Sequence, residues 1–236
     1  MCRDESVFRI MNAVLYYSAT GQSERIARYI ARKTEFEAAD ILSLANKEFD
    51  NAVIVFPVHC QNIPTPVKKC LTEITVKNLT VIATFGRMCH GNVLHEIQKR
   101  HNHNVVAAAY IPTRHSYLSD SEFDRFDELQ AVLDKIFNPA PVTIPKSYKN
   151  PLSNVLQGWR SRVGVKIYRG DECDGCGICD GVCPFGAITK RKPNRKCIRC
   201  LACIAHCPKK ALHSENRLPM RLYLKKKKTD KLEIFV

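Results

Sequence analysis

"MNAVLYYSATGQSERIARYIARK", residues 11–33, contains three kinds of segment in succession. Its first part is an apolar run of strand length, and "ATGQS" interrupts it with small and hydroxyl-bearing residues. In the remainder Ile26 and Ile30, and Ala27 and Ala31, recur at helical spacing. The stretch therefore predicts a strand, a loop and a helix. Three further runs, "NAVIVFPV" (51–58), "LTVIATFG" (79–86) and "NVVAAAYIP" (104–112), are apolar, rich in β-branched residues and of strand length. Helical patterns separate them around 65–74, 92–101 and 120–137, and "EFEAADILSL" (35–44) supplies a fifth strand. Strands alternating with helices predict a five-stranded parallel sheet covered on both faces, because each crossover helix must pack on one face or the other.

Toward the C-terminus the composition changes. "NPAPVTIPKSYKNP" (138–151) carries four prolines, which exclude a helix or central strand and favour an extended connector. We place an α/β domain at 1–140 and a linker at 141–165. The formal net charge of +14 lies entirely beyond this boundary: residues 1–140 hold 16 Lys+Arg and 16 Asp+Glu, residues 141–236 hold 21 and 7. Hydrophobic residues make up 45% of the 236, enough for a packed core. The N-terminal residues carry charges where a secretory leader needs an apolar core, and the longest apolar runs are strand-sized, so a soluble, reducing, cytoplasmic setting with no integral membrane segment is expected. Residues 1–10 precede Met11 and read as an extension or a misjudged start.

Eight of the 12 cysteines lie between 173 and 207, whereas Cys2, Cys60, Cys70 and Cys89 are scattered. "CDGCGICDGVCP" (173–184) and "CIRCLACIAHCP" (197–208) both read C-x2-C-x2-C-x3-C-P. Zinc knuckles gather two cysteine pairs a dozen or more residues apart, so this run favours an iron–sulfur cubane instead. In such a run three thiolates face one cluster and the cysteine before proline ligates the other. The spacing assigns Cys173, Cys176, Cys179 and Cys207 to one [4Fe–4S] cluster and Cys197, Cys200, Cys203 and Cys183 to a second. Residues 166–215 resemble the bacterial ferredoxins that carry two such clusters, with no ligand substituted. The resemblance implies a small α+β domain of two pseudo-symmetric halves, each a short helix with a strand pair. Residues 216–236, with Lys225 to Lys228 in a row, read as a solvated basic tail.

In a doubly wound sheet a ligand sits beyond the carboxyl ends of the strands. After the first strand comes "SATGQS", and Ser18, Thr20 and Ser23 offer hydroxyls, Gly21 a tight turn, and the following helix its N-terminal N–H groups, all suited to a phosphate. An ordinary N-cap has the same composition. At the end of a first strand, however, the loop resembles the FMN phosphate loop of flavodoxins, which implies the flavodoxin-like fold and gives Ser18, Ala19, Thr20, Gly21, Gln22 and Ser23 to FMN. By the same resemblance Pro57, Val58 and His59 flank one side of the flavin ring, and Thr84, Phe85, Gly86, Arg87, Gly91 and Asn92 the other. Flavodoxins stack aromatics on the flavin, and these loops offer only His59, Phe85 or His90.

The whole chain thus resembles the flavodoxin–ferredoxin fusions found mainly in anaerobic microbes. The resemblance implies a low-potential relay in which FMN and two [4Fe–4S] clusters exchange electrons, between a protein donor and a protein acceptor. The basic C-terminal part favours an acidic partner. An alternative is a flavin-dependent reductase of a small substrate fed through the clusters. No G-x-G-x-x-G follows a strand, which argues against direct feeding by a nicotinamide, and no nucleic-acid-binding motif accompanies the basic charge.

Overall fold

The computed structural model describes residues 11–154, 157–189 and 192–236. The segment 1–10 and the basic pair Lys190 and Arg191 lie outside the described residues. In chain order the N-terminal part forms β1 (Asn12–Tyr16), α1 (Gln22–Thr34), β2 (Glu37–Asp40), β3 (Glu48–Pro57), α2 (Thr65–Glu73), β4 (Thr75–Phe85), α3 (Val93–Arg100), β5 (Val105–Pro112) and α4 (Gln130–Phe137). The C-terminal part forms α5 (Gln157–Gly164), β6 (Val165–Arg169), α6 (Ile178–Gly181), β7 (Ile188–Thr189), β8 (Lys192–Pro193), α7 (Ala202–Ala205), β9 (Leu212–Asn216), α8 (Leu218–Leu224) and β10 (Glu233–Phe235).

Strands β1 to β5 pair in parallel in the order β2-β1-β3-β4-β5. This is the flavodoxin-like winding, whose direction reverses at β1 and β3. Alternate residues of each strand face opposite sides. Leu15, Ile54, Val81 and Ala108 pack with Val67 and Leu71 of α2 and Leu94 and Ile97 of α3. Val14, Val53, Ile82 and Ala107 pack on the other side with Ile26 and Ile30 of α1 and Val132 and Ile136 of α4. Both faces are therefore buried, which is why these strands read as continuous apolar runs.

The structure departs from the sequence reading in three places. The sheet has a sixth strand: β10 pairs antiparallel with β5, so the end of the supposed basic tail closes the edge of the N-terminal sheet. Ile234 packs toward one face of the sheet and Phe235 toward the other. Lys228 binds Asp120, Thr229 N donates to Arg87 O at 2.7 Å, and Arg87 Nε lies 2.8 Å from Asp230 Oδ1; Lys225, Lys226 and Lys227 are exposed. Second, the helical pattern at 120–137 yields a helix only at its end, preceded by a 3-10 turn at Phe126–Leu129. Its first residues form no regular element; there Asp120 is bound by Lys228 and Glu122 by Gln22, Arg25 and Arg114. Third, the proline-rich connector is extended but packed, not free. Ile144 is buried, Gln98 bonds both Val142 O and Ile144 N, and Lys149 Nζ lies 2.8 Å from Glu96 Oε1.

The cysteine-rich part has the expected two halves. Strands β6 and β9 pair antiparallel, β7 and β8 form a small hairpin, and short helices α6 and α7 each follow two cysteines of a motif.

Candidate functional site

A cavity of about 450 Å³ opens at the carboxyl ends of β1, β3, β4 and β5, within the size range of small-molecule sites. Ser18, Ala19, Thr20, Gln22 and Ser23 line it, at the N-terminus of α1. Gly21 turns the chain there with φ 86° and faces outward. The buried Ser23 hydroxyl lies 2.9 Å from that of Thr84, which ties this loop to the end of β4. Gln22 Nε2 donates to Glu122 at 2.8 Å, and its buried Oε1 has no hydrogen-bond partner among the described residues. Hydroxyls and free N–H groups at the start of a 13-residue helix fit a phosphate.

Pro57, Val58, His59, Thr84, Phe85 and Gly86 also line the cavity. Gly86 is required by a close approach, since a Cβ there would stand 2.6 Å from His115 Cδ2. Arg87, Gly91 and Asn92 are placed elsewhere: Arg87 turns to Asp230, Gly91 packs on Gln61, and Asn92 Oδ1 accepts from Ser147 N at 2.8 Å. The Phe85 ring is buried in the core, and His90 stacks on Tyr110 with ring centroids 3.7 Å apart, outside the cavity. Burial pushes both His59 and His115 down to about 4, with Lys228 adding to the effect at His115, so both rings are neutral at pH 7.

The rest of the wall comes from residues that the sequence reading did not assign. The segment after β5 contributes Arg114, His115 and Tyr117. The C-terminal part contributes Trp159 and Gly164 from α5, Met220 and Tyr223 from α8, and Ile198, Arg199 and Cys200 from the second cysteine motif. Trp159 is the single tryptophan of the chain and lines the cavity while 56% exposed. Hydrogen bonds fasten the two parts together here: Tyr117 Oη donates to Arg199 O at 2.7 Å, and Asn216 Nδ2 donates to Tyr117 O at 3.1 Å. The segment after β5 was open to the same carboxyl-end rule that found the other loops. No local pattern marks Trp159, Arg199 or Tyr223, because folding alone brings them to the site.

The eight motif cysteines fall into two groups. Cys173, Cys176, Cys179 and Cys207 line one small surface cavity with Arg169, Asp174 and Lys209. Cys203 is pushed up to about 12, first by burial and then by charge on Cys200, Cys197 and Cys183, which marks these four as neighbours. Burial likewise pushes Cys200 up to about 11. Cys207 thus lines a cavity with the first three cysteines of the other motif, and Cys183 is near enough to Cys203 to act on it electrostatically. Among the described residues no three His, Cys, Asp or Glu side chains converge tightly enough for a single metal ion. A cubane, with one thiolate on each iron, holds its ligands farther apart, and both quartets suit that chemistry. The Tyr17 hydroxyl, buried and without a hydrogen-bond partner among the described residues, is held protonated by burial and then by charge on Cys200 and Cys183. Cys200, which lines the cavity with Ser18, is thus near the end of β1.

Residues 167–189 match the family described as 4Fe-4S binding domain. The chain is similar to an uncharacterized ferredoxin of Methanocaldococcus jannaschii, 46% identical over 88 residues, which is 35% of this chain and 53% of that protein. It therefore spans about half the length of the curated relative it matches. Two solved structures of candidate flavoproteins are also similar. One, from Bacteroides uniformis, has TM-score 0.37 and 16% identity and covers 46% of this chain and 94% of its own. The other, from Bacteroides eggerthii, has TM-score 0.38 and 17% identity and covers 54% and 98%. The chain joins a flavodoxin-like α/β sheet to a ferredoxin-type iron–sulfur domain. Among the described residues no helix is long and apolar enough to cross a membrane.

Proposed function

We propose that this chain is an electron-transfer protein that binds FMN in the cavity between its two parts and a [4Fe–4S] cluster on each cysteine quartet, relaying electrons between protein partners. The observation that carries this reading is that the hydroxyl-rich loop at 18–23 and Cys200 of the second motif line one cavity. FMN exchanges one or two electrons and a [4Fe–4S] cluster one, so the pair joins single- and paired-electron chemistry. The chain supplies position and environment. Ser18, Thr20 and Ser23, with the N-terminus of α1, receive the phosphate. Val58, His59, Phe85, Gly86, Trp159 and Met220 line the rest of the cavity and would bound the flavin ring. The neutral His59 and His115 add no charge, which leaves Arg114 and Arg199 as the cations of the wall among the described residues. Eight thiolates hold the clusters, and binding iron displaces their protons.

The test of the cavity assignment uses Thr20→Ala in the full chain. A hydrogen bond to a charged group contributes roughly 1.5–3 kcal/mol, so FMN affinity measured by calorimetry should fall about tenfold or more. Riboflavin, which lacks the phosphate, should bind both proteins alike. Equal FMN affinity in the two, with circular dichroism unchanged, would remove residues 18–23 from the site.

A further inference from the structure

The two quartets differ in where they stand relative to the cavity. Ile198, Arg199 and Cys200 are part of its wall, while none of Cys173, Cys176, Cys179 and Cys207 lines it. Cys197 and Cys203 are buried, whereas Cys176 is exposed and its quartet opens to the surface beside Lys209. Arg199 sits between two ligands of the buried quartet. Its Nε donates to Val165 O at 3.0 Å, and its buried Nη1 has no hydrogen-bond partner among the described residues. Arg114, the other cation of the wall, is already paired with Glu122 at 3.6 Å, whereas no carboxylate among the described residues pairs with Arg199.

We propose that the quartet of Cys183, Cys197, Cys200 and Cys203 is the inner one and shares the wall at 198–200 with the flavin. In this arrangement Arg199 is a common cation that sets the electron affinity of both, and the quartet of Cys173, Cys176, Cys179 and Cys207 is the outward port for protein partners. The inference rests on the FMN and cluster assignment above. Its physical basis is that a half-buried guanidinium with no carboxylate partner among the described residues is screened less by solvent and acts on any charge beside it, while an exposed lysine at the surface is screened and does not line the cavity. An electron arriving at either neighbour of Arg199 adds negative charge next to a fixed positive one. Removing the cation should make both harder to reduce.

The experiment uses the full chain loaded with FMN and iron–sulfur clusters, in four forms: wild type, Arg199→Gln, Arg199→Lys and Lys209→Gln. Flavin midpoint potential is read by absorbance and cluster potentials by electron paramagnetic resonance, with iron and sulfide counted for each form. Arg199→Gln should lower the flavin potential together with that of one cluster, and Arg199→Lys should restore most of both. Lys209→Gln, an exposed substitution with no burden on folding, should lower only the other cluster and leave the flavin unmoved. The ordering is wrong if Arg199→Gln leaves the FMN potential where it was, or if Lys209→Gln moves it as much. A chain that assembles both clusters and takes up no FMN contradicts the cofactor assignment itself, an outcome distinct from an FMN-loaded chain with a flat response.

Discussion

Residues 173–183 and 197–207 trace the same backbone with different side chains. At matching positions the first has Gly175 and Gly177 with φ 83° and 78°, the second Arg199 and Leu201 with φ 61° and 67°. The symmetry continues past the Cys-Pro corners, where Gly186 has φ 52° and Lys210 has φ 51°. A left-handed conformation costs a side-chain-bearing residue about 1–2 kcal/mol, and glycine avoids it. The first motif takes the glycines and lies open, with Asp171, Glu172, Asp174 and Asp180 exposed around it. The second accepts the strain because its side chains have neighbours: Leu201 is 6% exposed, and Arg199 holds Val165 O and walls the cavity. The repeat sets how the thiolates are aimed, and the departures from glycine mark which motif meets the other part of the chain.

The largest test of this contrast concerns Cys183, which belongs to the first motif by sequence and to the second quartet by position. Cys183→Ala should lose about four of about eight iron atoms per chain. The paramagnetic spectrum of what remains should match that of Cys203→Ala and differ from that of Cys176→Ala. A residual spectrum like that of Cys176→Ala would undo the crossed assignment. A smaller effect separates the two matching backbone positions. Leu201→Ala should cost about 2–3 kcal/mol by emptying a buried site, while Gly177→Ala, with open space around it, should cost only about 1 kcal/mol of backbone strain. Urea-induced bleaching of the clusters under anaerobic conditions would rank the two, and the reverse ranking would mean that the loops are not packed so differently.

The smallest expected effect concerns charge. The rim of the outward quartet mixes the four acidic residues with Arg169, Lys209 and Lys210, while Lys192, Arg195 and Lys196 are exposed on the second motif's side. Electron transfer from an acidic protein donor, followed by stopped flow, should slow only a few fold as ionic strength rises from about 0.01 to about 0.15 M and the Debye length shrinks from about 30 to about 8 Å. Neutralising Lys209 and Lys210 should change the rate more than neutralising Lys192, Arg195 and Lys196. The opposite order would move the docking face to the second motif.

How much of this could be read from the sequence followed the range of the interactions involved. The sheet was legible because strands buried on both faces leave continuous apolar runs, and the loop at 18–23 because its hydroxyls, turn and helix start are contiguous. The iron–sulfur character of the C-terminal part was legible because its cysteine spacing is local and repeated. The strand β10 was not, since three residues after a lysine run carry no periodicity and are ordered only by the exposed edge of β5. Arg87 and Asn92 were assigned to the flavin by their place after β4, but Asp230 and Ser147, far away in sequence, hold them elsewhere. Aromatics were sought only in the N-terminal loops, whereas Trp159 and Tyr223 reach the cavity only when α5 and α8 pack beside it. The strained Arg199 carried no signal by itself, because a positive φ at a residue other than glycine is a property of the fold.

The central claim, that cavity and quartets work within one chain, is tested most directly by kinetics. The loaded protein is mixed anaerobically with less than one equivalent of a one-electron reductant, and flavin absorbance is followed after the clusters have been reduced. We predict that the slow redistribution toward the flavin proceeds at a rate independent of protein concentration, because Cys200 borders the same cavity as Thr20. A rate that rises in proportion to concentration would place the exchange between molecules and contradict the account.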